Sequence, residues 1–158
     1  MDREWPVPSG GWDLASLTEL FASDPEVLGD VDVDVAEGND VLQITLKERG
    51  GLIVLMVASG DQVQCSVLLI EAEAIPNRHA FERMLLSVHK LIPLSNFGIT
   101  PVGGAEWYEL FGGLSSRSSA AELVEEVAVL AANAGDAAEW ISEWIEVGGD
   151  AAKVGALA

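Results

Sequence analysis

One cysteine, Cys65, and two histidines, His79 and His89, are the side chains best suited to nucleophilic or general-base chemistry near neutral pH. The histidines are ten residues apart in a segment read as one helix, which sets them roughly 15 Å apart along the axis and about 80° apart around it. They cannot share a metal ion. Each could pair with a distant carboxylate or rest as a solvated or half-buried ring. Cys65 falls on the inward set of an alternating strand, which reads as an inert buried thiol. Asp30, Asp32 and Asp34 have the spacing that opens a calcium loop. Such a loop needs Gly at its sixth position and Glu at its twelfth, where this chain has Val35 and Val41. The chain has no dinucleotide fingerprint after a strand, no phosphate loop and no nucleophile elbow. Carboxylates are abundant, but nothing in the sequence marks a pair of them as buried, so an acid/base dyad is unsupported. The sequence therefore names no catalytic residue, no metal ligand and no cofactor, and shape and surface charge become its most informative features.

That charge is strongly negative and unevenly spread. Against 26 Asp and Glu stand 8 Lys and Arg, for a net −18. Residues 1–40 carry 11 acids and one base, residues 104–158 carry 10 acids and two bases, and residues 41–103 carry five of each. A field of this sign repels phosphates, so nucleic acid and anionic lipid surfaces are excluded as default partners. The 158 residues, 49% hydrophobic, suffice for one domain with a core that needs no metal or disulfide staple. No apolar run nears the roughly 20 residues of a membrane span, and direct membrane insertion is not expected. Met1–Pro6 lacks the basic and apolar parts of a secretory signal, and a lone cysteine suits a reducing compartment. The expectation is a cytoplasmic location.

The elements follow from hydrophobic periodicity. Residues 1–11 form an extended segment. Asp13 is the N-cap of a helix with Leu14, Leu17, Leu20 and Phe21 on one face, ended by Pro25. Val31, Val33 and Val35 alternate with aspartates as a strand, followed by a turn at Gly38-Asn39 and a strand with Leu42, Ile44 and Leu46 inward. Leu52–Val57 is apolar on both faces, which predicts a central strand with its second face covered too. Val63, Cys65, Val67 and Leu69 alternate in a fourth strand. Pro76 opens a helix to about Leu91 with Phe81, Met84, Leu85, Val88 and Ile92 on one face, and Pro93 stops it. Strands near Phe97–Val102 and Glu106–Phe111 meet at Gly103-Gly104. Ser119 and Glu122 have capping-box spacing before a helix, and Asp136 with Glu139 repeats that spacing as the start of a further short helix. This order predicts an α+β domain over residues 12–146, with a mainly antiparallel sheet made of a four-strand meander plus a two-strand hairpin. Helices flank the sheet, and residues 147–158 form a flexible tail.

Three features could serve recognition. Arg78, Arg83 and Lys90, with both histidines, make one helix locally positive; they could receive an acidic partner or neutralise the chain's own acidic ends or those of a twin subunit. Trp107, with Tyr108 and Phe111, could line a groove or complete the core, but Trp107 and Phe111 cannot point inward together with Tyr108 and Leu110. Trp140 and Trp144, spaced i, i+4, could anchor a partner or close the core.

The chain also resembles a known family. Trp12 with Leu14, Leu17 and Phe21, then Val41–Thr45, the His89-Lys90-Leu91 and Pro93–Ile99 block, Tyr108 with Phe111–Ser115, and the helix around Glu125-Glu126 look like the YjfI-like family of bacterial proteins of unknown function, over about residues 12–134. The resemblance supplies no activity or catalytic residue. It implies a supporting role in envelope stress beside a phage-shock-protein-A-like membrane-remodelling partner. The element order is similar to that of type III secretion chaperones, which are acidic homodimers, although the four-strand meander and the tryptophan-bearing helix depart from that pattern. The expected function is a non-enzymatic adaptor or chaperone-like homodimer that binds a protein. The alternative is an enzyme or anion sensor with a pocket between the sheet and the 77–92 helix, holding Arg78, Arg83 or His89.

Overall fold

The computed structural model describes residues 4–36, 38 and 40–154. Asp13 opens the first helix, α1 (Leu14–Ala22), through a reciprocal cap: its Oδ1 accepts the Ser16 N–H at 2.9 Å and its own N–H donates to Ser16 Oγ at 3.0 Å. The buried side chains of α1 are Leu17, Leu20 and Phe21. The helix stops at Ala22, and Pro25 instead leads a single 3-10 turn over Glu26–Leu28. Four antiparallel strands follow: β1 (Val31–Ala36), β2 (Val41–Leu46), β3 (Leu52–Ser59) and β4 (Gln62–Glu71). The turn residue Asn39 lies outside the described residues. A short helix, α2 (Arg78–Val88), continues as one 3-10 turn to Leu91. The hairpin of β5 (Asn96–Val102) and β6 (Ala105–Ser115) then returns to the sheet, which has the order β1-β2-β3-β4-β6-β5. The class is α+β, with meander and hairpin joined into one six-stranded antiparallel sheet.

Strand alternation decides what each face holds. Val31, Leu42, Ile44, Leu46, Val54, Met56, Val63, Cys65, Val67 and Leu110 form one core with Leu17, Leu20 and Phe21 of α1 and with Leu123, Val127 and Leu130. Those last three belong to α3 (Ala120–Glu146). A bulge between Leu68 and Ile70 lets the adjacent Leu69 and Ile70 both pack inward, where a second cluster gathers Phe81 and Leu85 of α2, Tyr108, Ile141 and Trp144. All three helices thus lie on one side of the sheet. The central strand β3 is apolar on both faces as expected, but its second face has no cover among the described residues: Ile53 is 47% exposed, with Leu55, Phe111 and Trp107 half-buried on the same side.

The helix break expected at Asp136 does not occur. Ser119 caps α3 by accepting the Glu122 N–H at 3.1 Å, and the helix then runs unbroken through Gly135 and Asp136 for 27 residues, about 40 Å. Asp136 is simply on the solvent side. After α3 the chain folds back on α2. Gly149 N–H donates to the Trp144 carbonyl at 3.0 Å, Asn77 Nδ2 donates to the Gly149 carbonyl at 3.2 Å, and Val154 packs against the second cluster.

Candidate docking surface

The second cluster and the α2–β5 corner contain most of the side chains that the sequence marked for recognition, and they do not form one site. Arg78 is committed to its own chain. Its Nη2 lies 3.1 Å from Glu106 Oε2 and 3.6 Å from Glu82 Oε1, and its Nε donates to Tyr108 Oη at 3.4 Å. Those hydrogen bonds, to Tyr108 and then Glu106, raise its pKa further above the usual guanidinium range. Tyr108 Oη in turn donates to Glu82 at 3.1 Å, so α2 is fastened to β6 by a small polar network over a buried ring. Trp144 is withdrawn from any docking role in this conformation. It is fully buried, 5.6 Å from the Phe81 ring, and its Nε1 donates to the Pro76 carbonyl at 2.7 Å. Trp140, one turn earlier, is half-buried with its ring 6.4 Å from Phe97. Trp107 is on the opposite, helix-free face of the sheet, paired with Thr100 and Glu71.

Arg83 and Lys90 remain. Both are exposed and, among the described residues, neither makes an ion pair. They stand three residues before and four after Leu86, part of an apolar ridge in which Leu86 is 71% exposed, Leu94 59% and Ile99 49%; Leu91, 79% exposed, is five residues past Leu86 and about 140° around the helical segment, off this ridge. Beside this ridge a hollow of about 340 Å³ opens between α2 and β5, lined by Glu82, Leu85, Leu86, Phe97, Gly98, Ile99 and Tyr108. A shallower one of about 520 Å³ adjoins it, with His89, Lys90, Ile92 and Leu94 in its lining. Sequence reading missed the leucines because it followed the buried stripe of α2. The available signal was that Leu86 and Leu91 fall off that stripe.

The cations expected in a pocket between the sheet and α2 are divided: none lines the 340 Å³ hollow, while His89 lines the shallower one with Lys90. The ionisable groups of the 340 Å³ hollow are Glu82 and Tyr108, with no arginine. His89 is already engaged: its Nε2 accepts the Phe97 N–H at 3.1 Å, so that nitrogen carries no proton in this contact.

The block Pro93–Ile99, the most specific part of the resemblance, has a structural use. Asn133 of α3 reaches it with one amide group, donating to the Pro93 carbonyl and to Ser95 Oγ, each at 2.8 Å. Leu94 between them takes φ +61°, and a Cβ on Gly98 would press on the Phe111 ring. Close by, Glu126 is buried with its carboxyl laid over Gly112, where no Cβ would fit. Burial, and then the neighbouring Glu125, pushes the Glu126 carboxyl above the ordinary range. Cys65 donates to the Gly112 carbonyl at 3.7 Å, and burial followed by the Glu126 charge raises its thiol to about 12. A thiol so held is not a nucleophile at neutral pH. Cysteine and carboxylate do converge here, on α3's side of the sheet, while both histidines are on the α2 segment. Among the described residues no three His, Cys, Asp or Glu side chains come together at metal-holding distance, and no helix is long and apolar enough to cross a membrane.

Comparison with known proteins agrees with this architecture. The crystal structure of YbjN from Escherichia coli, described as a proposed transcription regulator, superposes with a TM-score of 0.51 at 12% identity, covering 79% of this chain and 94% of its own; at that identity the likeness is one of fold. The uncharacterized protein YjfI of E. coli strain K12 is 29% identical over 133 residues, 84% of this chain and 97% of the relative, and YjfI of E. coli O157:H7 matches equally. A profile described as "Uncharacterized protein conserved in bacteria (DUF2170)" matches residues 11–145. The expected resemblance, placed on about residues 12–134, is therefore a membership: the chain belongs to this bacterial family.

Proposed function

We propose that the chain is an acidic protein-binding module, an adaptor or chaperone-like protein without catalysis of its own, whose contact surface is the α2–β5 corner. One observation carries the reading: three large apolar side chains, Leu86, Leu94 and Ile99, stand exposed about two adjoining hollows, beside two cations that no carboxylate of the described chain claims. Exposed apolar groups gathered this way mark interaction surfaces, whereas isolated ones do not. The regulator description of YbjN is not carried over, because a net charge of −18 repels DNA. A supporting role beside a phage-shock-protein-A-like protein belongs to this reading. So does a homodimer, joined through a face other than this corner.

The test is photocrosslinking in the native host, with p-benzoylphenylalanine at Leu86 and, as a control, at Val27, which is 69% exposed on the far side of the fold. The expected result is one recurrent polypeptide adduct from position 86, identified by mass spectrometry and reduced severalfold by R83E with K90E. Equal capture at both positions, or none at 86, would refute the proposal.

A further inference from the structure

The α2–β5 corner offers two kinds of seat, a sheet edge and a helix-lined groove, and the backbone discriminates between them. β5 pairs with β6 on one side, and its other side is the end of the sheet. A partner strand added there would need outward N–H and C=O groups on alternate residues. Phe97 is one of those residues, and its N–H is already given to His89 Nε2 at 3.1 Å. Alternation makes Ile99 and Pro101 the next two, and proline has no N–H. Ile99 is left as the single outward donor across the strand. This is a blunted edge, protected by a side-chain acceptor at one end and a proline at the other.

The groove is not blunted. Arg83 and Lys90 are seven residues apart, about 10 Å along the helical segment that bears them, with Leu86 between. Two carboxylates at i and i+7 of a docked helix have the same separation, and apolar side chains at its i+3 and i+4 positions fall between them. The charge is complementary to an acidic helix here and repels one from the acidic ends of the chain.

We infer that the α2–β5 corner receives an acidic amphipathic helix from a partner protein, its apolar stripe on Leu86, Leu94 and Ile99 and its carboxylates on Arg83 and Lys90, and that it does not accept an added strand. This rests on the docking role proposed above and specifies the partner's form and sign.

The experiment is a selection from a displayed library of 16-residue peptides randomised over all residue types, using the full chain as bait and the L86D variant as counter-bait. Leu86 is largely exposed, and circular dichroism and the melting temperature of L86D serve as the folding check. The expected winners lose at least about tenfold in affinity on L86D and on R83E/K90E, carry apolar residues at i+3 and i+4 between carboxylates at i and i+7, and are net acidic. Winners that depend on Leu86 but are basic, or alternate with period two, overturn the helix inference and leave the docking surface standing. A dimer in sedimentation that L86D dissociates does the same, with a second copy as the occupant. Selection that yields nothing dependent on Leu86 overturns the inference and the docking role together.

Discussion

Glu126 is a carboxylic acid among apolar side chains, and Gly112 is bare because that carboxyl fills the space where a Cβ would stand. Burial favours the neutral acid, so the folded-state pKa is above the 4.5 of an ordinary glutamate. The sign of the linkage follows. Between the unfolded and the folded pKa the native state holds a proton that the unfolded chain has released, so stability falls as pH rises through that window and stays reduced above it. Glu126→Gln keeps the shape and removes the ionisation. We expect the variant to melt higher than the parent at pH 8 and the difference to close as pH is lowered toward 4.5, measured by thermal denaturation across that range. A constant difference at all pH values would mean that the charge of Glu126 is not what burial penalises. The same cluster explains the silence of Cys65, whose thiol is both covered and held protonated.

The long helix α3 carries its own test. Gly135 lies in its interior with open space where a side chain would be, and its backbone is helical. Glycine there costs about 0.5–1 kcal/mol relative to alanine, through conformational freedom in the unfolded chain. Gly135→Ala should therefore raise the melting temperature by about 1–4 °C; a decrease would show that α3 bends or parts at that point. The sequence reading broke the helix there because Asp136 and Glu139 reproduce cap spacing, a local signal that the continuous apolar stripe from Leu123 to Trp144 overrides. Strands were legible wherever one face alone was apolar, as in Val31–Val35 and Val63–Val67, since period two leaves a single register. The exposed side of β3 was not, because an all-apolar strand looks the same whether or not a layer covers it. Trp144 was undecidable for a similar reason: its indole partner is the carbonyl of Pro76, 68 residues away, and no spacing rule reaches that far. The candidate docking corner was half legible. Arg83 and Lys90 stood out by charge, whereas the exposure of Leu86 and Leu91 depends on where α2 lies against β5.

At the scale of the molecule the uneven charge becomes a spatial problem. The acidic first 40 residues and the acidic last third meet across a hollow of about 1060 Å³ between the end of α1 and the first half of α3, where Asp24, Glu26 and Glu125 share the lining with Trp5, Val27 and Val124. Carboxylates of one sign brought together by folding oppose it, and the opposition is strongest where salt is low. Asp24 is needed as an acceptor for the Val31 N–H at 3.1 Å, but Glu125 is exposed and makes no ion pair among the described residues. Glu125→Lys replaces a repulsive neighbour of Glu26 and Glu126 by an attractive one. We expect it to raise the melting temperature by about 1–4 °C in 10 mM buffer. The gain should shrink severalfold in 0.5 M sodium chloride, where the screening length is only a few ångströms. A gain that ignores salt would assign the effect to helix propensity, and a loss would mean that the acidic groove is held together by contacts to Glu125. Folding places repulsion at the α1–α3 end and uncompensated cations at the α2–β5 end, so an acidic partner of the kind proposed would meet less opposition at the corner than at the α1–α3 end.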